Sequence, residues 1–501
     1  MAEIDLLKQF DFGNEAGDDI APHELAEYFV EQELASLFLD HRHPFLIATG
    51  KKGVGKSALI QWLRHRVPKQ ARNIMVVSCR GAELSRARLG YTSELKTPND
   101  HIQDWMARIC TVVNRELAKK LRLALADDAM TIVEAAEIDG YKQRNLVRSL
   151  VQRFGKAIPK LAADPQKIAN EIEILKRFKS GPVWILVDDL DATFQSTADE
   201  SLALSTFFTA CRYLTRDLQS VTIRVTMRTD VWPAIRRYDE ALDKVEQYVH
   251  ALTWSQDEYR RLLGRRIRFE LDRLKIPFKS PPSHVHELDR DFELISKLFV
   301  PRVPWGREGR EVPSHQVLYT LSYGRPRWAI QLCKLAQGDA VKRRADRIGK
   351  DNIDAVWGTY GLKRISDIVS EHKHQCPQIE ELVNSFRGAP RLFARDELMK
   401  WITNHVVNHL HPTIDGVKSS SNMEIAHFLY RVGFLQARSQ GDDGNYEHYD
   451  FNVMPDFLTS RTNADFSVLW EIHPSYRESL DIEKLTRSQR IQKGLIRPSA
   501  R

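Results

Sequence analysis

The chain has 501 residues, 42% hydrophobic and 28% charged, with a formal net charge of +7; this length suggests about three domains, and the composition excludes a largely disordered chain. No apolar run approaches the ~18 residues of a membrane span, and the opening Met1-Ala2-Glu3-Ile4-Asp5 is acidic where a signal peptide is basic. Five cysteines (Cys79, Cys110, Cys211, Cys333, Cys376) without C-x-x-C spacing argue against a disulfide framework or zinc ribbon, so a cytoplasmic protein with no membrane partner is expected.

In chain order, residues 1–43 read as a lead-in: a polar turn at Phe10-Asp11-Phe12-Gly13-Asn14-Glu15-Ala16-Gly17-Asp18-Asp19, then a helix from about Glu24 to Leu39. An apolar strand, Phe45-Leu46-Ile47-Ala48, opens a domain over 44–261 and runs into Gly50-Lys51-Lys52-Gly53-Val54-Gly55-Lys56-Ser57, a match to G-x-x-x-x-G-K-[ST] at every fixed position. A helix from Ala58 to Arg66, stopped by Pro68, completes the strand-loop-helix context that a phosphate-binding loop requires. Glycines at Gly50, Gly53 and Gly55 let backbone N–H groups, with those of Val54 and Ala58, face phosphate oxygens at a helix N-terminus. Lys56 is expected at the β/γ-phosphates and Ser57 on Mg2+, with ATP or GTP bound.

A second strand is expected at Ile74–Ser78, and from about 100 to 179 the pattern is helical and charged, an insertion in the sheet. Val183-Trp184-Ile185-Leu186-Val187-Asp188-Asp189-Leu190-Asp191 is a buried-strand run ending in carboxylates, a Walker B strand. Such chemistry needs one acid to hold Mg2+ and another to orient the attacking water. Asp188 is assigned to the metal, Asp189 to the water, and Asp191 to either an accessory acid or a helix cap. The next strand, Val221–Met227, ends at Arg228, a candidate γ-phosphate sensor whose alternative is a surface salt bridge. Tyr248–Leu252 reads as the last strand, and Trp254–Arg268 as a basic helix leaving the sheet.

Residues 262–376 read as a helical lid with a Pro-rich interruption. Within it, Tyr323-Gly324-Arg325-Pro326-Arg327 starts a helix from which Arg325 or Arg327 would reach the nucleotide, the alternative being a plain capped lid helix. Over 377–482, two helices, a third from a capping box at Ser421-Asn422-Met423-Glu424 to Arg431, and strands at Phe434–Arg438 and Tyr446–Phe451 around Gly441–Gly444 make a winged helix. Its third helix offers Asn422, Glu424, His427 and Arg431, and its wing carries Asp442, Asp443 and Glu447, a mixed charge that disfavours base readout. His405, His409 and His411 are close in sequence, without a companion metal-ligand signature. Six of the excess positive charges lie after Glu483, in a basic tail (483–501) that is either a solvated extension or a phosphate-contacting arm.

Together these motifs resemble the signal-transducing, AAA+-like P-loop ATPases (the STAND class, with KAP-type relatives), and more narrowly a bacterial group of stand-alone P-loop ATPases often met in defence islands. Phe12-Gly13-Asn14-Glu15-Ala16 sits where that class has its adenine-contacting lead motif, though without the usual arginine. Thr226-Met227-Arg228-Thr229-Asp230 resembles its sensor arginine, Gly324-Arg325-Pro326 its lid motif, and Trp470-Glu471-Ile472-His473-Pro474 its winged-helix histidine. The resemblance implies that His473 touches the β-phosphate of ADP, with Ile472, Pro474, Tyr476 and Leu480 seated in the winged-helix core; the alternative is a histidine capping the Ser475-Tyr476-Arg477 turn. The expected fold is α/β, an ASCE-type P-loop domain with helical insertion, helical lid and C-terminal winged helix. The expected function is an ATP-driven switch or slow ATPase, with ATP/ADP and Mg2+ as cofactors, a separate effector or sensor protein, a nucleotide-dependent homo-oligomer, and by resemblance a role in antiphage defence. Two rivals are a DNA-associated ATPase, which would use the winged helix and tail, and a non-hydrolysing assembly module.

Overall fold

The computed structural model describes residues 3–71, 73–86, 97–120, 175–176, 181–192, 194, 197–236, 238, 240–278, 287–306, 310–440, 446–459 and 467–483. The tail after 483, the turn at Gly441–Gly444 and most of the 100–179 insertion lie outside these residues. Two compact units divide the chain, residues 16–253 and residues 1–15 with 254–501.

In the first unit the apolar runs become β1 (Phe45–Thr49), β2 (Met75–Arg80), β3 (Val183–Asp188), β4 (Val221–Met227) and β5 (Val249–Ala251). All neighbours pair in parallel, in the order β2-β3-β4-β1-β5. Every residue of β1, β3 and β4 is buried, as expected for a parallel sheet covered on both faces. Side chains alternate between those faces. Phe45, Ile47, Val183, Ile185, Val187, Ile223 and Val225 pack with the helices Pro98–Lys120 and Ala198–Asp217, where Trp105 donates to the Ala203 carbonyl (2.6 Å).

Leu46, Trp184, Leu186, Arg224, Asp188 and Thr226 take the alternate positions, on the face that receives the loop helix Lys56–Arg66. Arg224 is fully buried there, donating to the carbonyls of Phe38 (2.7 Å) and Asp40 (2.8 Å) with its guanidinium 4.8 Å from the Trp184 ring. It donates to carbonyls at the end of the helix Glu33–Leu39, and burial pushes its pKa down to about 9. The stretch from Glu24 to Leu39, where one helix was expected, lies in two, Pro22–Tyr28 and Glu33–Leu39. Phe29 leaves the helical path to stack on Trp62 of the loop helix (4.7 Å), a tertiary contact that overrides local propensity.

In the second unit, the helix Gln256–Arg273 opens on a reciprocal box in which Ser255 accepts from the Glu258 backbone and Glu258 from that of Ser255. Residues 1–15 complete the lid core: Phe10 and Phe12 meet edge to face (4.9 Å) among Tyr259, Phe299 and Val317. Arg266 donates to the Phe12 carbonyl (2.7 Å), and Gln337 to those of Leu7 and Phe10. The helix Lys350–His372 places Ile353 and Tyr360 in the lid core and Ile365 and Ile368 in the winged-helix core, which is why lid and winged helix form one unit.

The winged helix has helices Ile379–Asn384, Arg395–Ile402 and Asn422–Arg431 and a four-stranded antiparallel sheet, ordered Tyr446–Tyr449, Leu435–Gln440, Leu469–Ile472, Leu392–Phe393. The expected box at Ser421 is only half made. Ser421 accepts from the Glu424 backbone (3.3 Å), but the Glu424 carboxylate accepts from Ser419 (2.5 Å), a closer hydroxyl. His405 stacks on Trp401 (3.8 Å), and among the described residues no group of three His, Cys, Asp or Glu is arranged to hold a metal ion.

Candidate nucleotide site

β1 ends at Thr49, and the Gly50 N–H donates to the Met227 carbonyl of β4 (3.1 Å), so the loop leaves the sheet beside that strand's tip. Gly53 (φ +85°) and Gly55 (φ +110°) adopt left-handed backbone that side chains disfavour. Gly55 is the N-cap of the loop helix, which puts Lys56, Ser57 and Ala58 on its first turn. Val54 is buried inside the loop. Lys56 is 7% exposed, and its ammonium donates to the carbonyls of Gly50 (2.8 Å) and Lys51 (3.2 Å). The positive charge is thereby held over the glycine loop. Gly17 of the lead-in lies so close to Ala58 that an added Cβ would come within 2.8 Å of the alanine methyl. This contact brings the lead-in against the start of the loop helix.

Asp188 is the last residue of β3 and is buried. Thr226, on β4, donates its hydroxyl to Asp188 Oδ1 (2.5 Å). Sequence reasoning missed this threonine, although the period-2 alternation that aims Asp188 at the loop-helix face aims Thr226 there too. Asp189 has φ +49°, a left-handed conformation rare for a residue with a side chain, and is half-buried where the chain turns off the strand. Asp191 is 3% exposed, and its Oδ2 accepts from the Arg228 backbone (3.0 Å) and Nε (2.8 Å). Arg228 thus sits in a largely buried pair, and its partner is the acid whose role the sequence left open. Ser57 carries a hydroxyl and Asp188 a carboxylate, hard oxygen donors of the kind that suit Mg2+.

Arg325, Arg327 and His473 belong to the other unit. Arg325 is 2% exposed, paired with Glu371 (3.1 Å) and stacked on Trp328 (4.1 Å), and Arg327 is half-buried on the first turn of the helix Pro326–Lys342. His473 is the N-cap of the short helix Pro474–Arg477. Its Nδ1 accepts from the Ser475 N–H (3.3 Å) and lies 2.8 Å from the Ser475 hydroxyl, and its ring meets Tyr323 edge to face (4.2 Å). The capping alternative describes these contacts. Ser475 donates onward to the Leu321 carbonyl (2.7 Å) and Trp357 to that of Pro474 (3.0 Å), so the segment joins winged helix to lid. Ile472, Tyr476 and Leu480 are buried in the winged-helix core.

The glycine-rich loop between β1 and its helix, with β4 inserted between β1 and the carboxylate strand β3, defines a P-loop NTPase fold of the ASCE, AAA+-like type. No family model and no curated protein matches the chain. Among solved structures, the Aeropyrum pernix ORC2 protein (ADPNP-ADP complexes) is 12% identical, covering 90% of this chain and 93% of its own, at a TM-score of 0.38. The Walker-type ATPase paby2304 of Pyrococcus abyssi is 11% identical over 87% and 97%, at 0.40, and Cdc6p from Pyrobaculum aerophilum 10% over 94% and 95%, at 0.32. Likenesses this distant bear no weight on function; strand order and loop define the fold.

Proposed function

We propose that the chain is a Mg2+-dependent ATPase that turns over slowly and works as a nucleotide switch. The observation that carries this reading is the convergence of loop and carboxylates: Lys56 closed over a left-handed glycine loop, and Asp188 fixed from β4 by Thr226. In this reading Lys56 and the loop N–H groups hold the β/γ-phosphates, with Gly50, Gly53, Val54, Gly55 and Ala58 forming the cradle. Ser57 and Asp188 would hold Mg2+, which when bound neutralises charge on the phosphates. Asp189 orients the attacking water, and Arg228, steadied by Asp191, senses the γ-phosphate.

The test is titration of ATP and ADP with phosphate release measured in parallel. Lys56→Ala is expected to lose nucleotide binding while keeping its circular dichroism spectrum; unchanged affinity would remove the site assignment. His473→Ala tests the switch. Selective weakening of ADP, by about tenfold for one charge-assisted hydrogen bond, supports contact with the β-phosphate; equal effects on ADP and ATP assign the histidine to its cap alone. A separate effector, a nucleotide-dependent homo-oligomer and a place in antiphage defence are extensions of this reading that rest on motif resemblance. A DNA-associated ATPase is the second reading, favoured by the four-stranded winged-helix sheet and tested by salt-dependent duplex binding that is lost on removing residues after Ile482.

A further inference from the structure

The face of the winged-helix sheet that turns away from its core carries a charge arrangement that the nucleotide site does not use. Strand register puts Gln436 opposite Glu471 and Arg438 opposite His448 on that face, while Ala437, Trp470 and Ile472 face the core. The Glu471 side chain is 2% exposed, and guanidiniums reach it from three elements. Arg477 Nη2 lies 3.2 Å from Oε1, and Arg438 Nη1 and Arg391 Nη2 lie 3.4 and 3.9 Å from Oε2. His448 Nε2 is 2.9 Å from Oε1.

Three guanidiniums reach one carboxylate, to which Gln436 Nε2 also donates (2.5 Å). Arg477 spends one donor on the Ile472 carbonyl (2.7 Å). Among the described residues, Arg438 Nε is buried without a hydrogen-bond partner. Burial pushes Arg477 down to about 9. Holding several cations around one anion costs desolvation that a single pair would avoid. The cluster still reaches solvent at its rim, through His448 (44% exposed) and Arg391 (31%). The Tyr446 ring lies 3.5 Å from the Arg438 guanidinium and braces it.

We propose that this face is a phosphoryl-anion site, in which Arg391, Arg438 and His448 take up a phosphate group and Glu471 holds the guanidiniums in position. It lies on the sheet, away from the third helix, whose mixed charge disfavours base reading, and so recognises phosphate without regard to sequence. The phosphate comes either from a nucleic-acid backbone or from a free phosphate compound. Neither source depends on the loop at Lys56.

The experiment uses the full chain carrying Lys56→Ala, so that the loop does not report. Inorganic phosphate is titrated by thermal shift and by equilibrium binding, and a labelled DNA duplex is titrated at several salt concentrations. Both are repeated with Arg391→Gln/His448→Gln added, two rim positions whose replacement leaves the core intact. Phosphate is expected to raise Tm by several degrees near saturation and to bind at least tenfold more weakly in the double variant. Duplex binding that weakens in the double variant, with a smaller salt slope, identifies the backbone as the source; phosphate binding without duplex binding identifies a free compound. Duplex binding undiminished by the double variant, with phosphate binding weakened, likewise assigns the site to a free compound; the site is overturned if phosphate acts equally on both proteins, or on neither. Should the double variant lose its native circular dichroism, Arg391→Gln alone provides the same comparison.

Discussion

Asp188 accepts a hydroxyl from the neighbouring strand, which makes Thr226 a positioning residue for the carboxylate we propose as the Mg2+ ligand. Thr226→Val keeps shape and removes the donor, and is expected to raise the Mg2+ needed for half-maximal ATP hydrolysis by about tenfold to a hundredfold, the usual cost of losing a partner behind a ligand. Thr226→Ser should restore it; a metal requirement unmoved in the valine variant would show the bond to be incidental. Asp188→Ala should lose metal-dependent binding, whereas Asp189→Asn should keep Mg·ATP and lose turnover. Because Asp191 Oδ2 is already engaged by Arg228, wild-type turnover in Asp189→Asn would mean that the attacking water is oriented from outside this acidic turn. The loop and the carboxylate strand were legible because their chemistry imposes fixed residues at fixed spacing. Thr226 was not, since threonine inside an apolar strand also reads as an ordinary β-former. The burial of Arg325 was equally hidden, because its partner Glu371 lies on a helix more than forty residues away in sequence.

At the scale of elements, the helix Ser314–Leu321 carries a built-in acid sensitivity. His315 is 3% exposed; burial, assisted by the nearby Arg260 and opposed by Asp257, pushes its pKa down from 6.5 to about 4. The unfolded chain therefore binds a proton near pH 6.5 that the folded chain refuses until about pH 4. Stability of the unit of residues 1–15 and 254–501 is expected to fall across that window as pH drops, by at most about 3 kcal/mol from this group, and to level off below it. Denaturant titration at pH 7 and pH 4.5 measures the loss. His315→Gln should flatten the acid limb, and an unchanged limb would place the sensitivity in other groups. Most elements of the sheet were legible from apolar runs of strand length, with ends shifted by a residue or two. The wing strand Leu469–Ile472 was missed, because its partner Leu435–Gln440 lies some thirty residues earlier and four residues carry too little alternation to stand out.

For the whole molecule, the division at Glu15 and Thr253 assigns the first fifteen residues to the lid, a placement that local sequence does not encode because Phe10 and Phe12 would suit any apolar core. Phe12 is 2% exposed, so Phe12→Ala is expected to cost about 3–5 kcal/mol. Calorimetry should show that loss in one transition, while ATP raises the other; movement of both transitions together would mean that the units do not unfold separately. The same division bears on how the chain is made. A ribosome delivers Phe10 and Phe12 first, yet Tyr259, Phe299 and Val317, which receive them, come only after residues 16–253. At ~5–20 residues per second that interval is on the order of ten to fifty seconds. For its duration the nascent chain carries two phenylalanines whose packing partners have not yet been made.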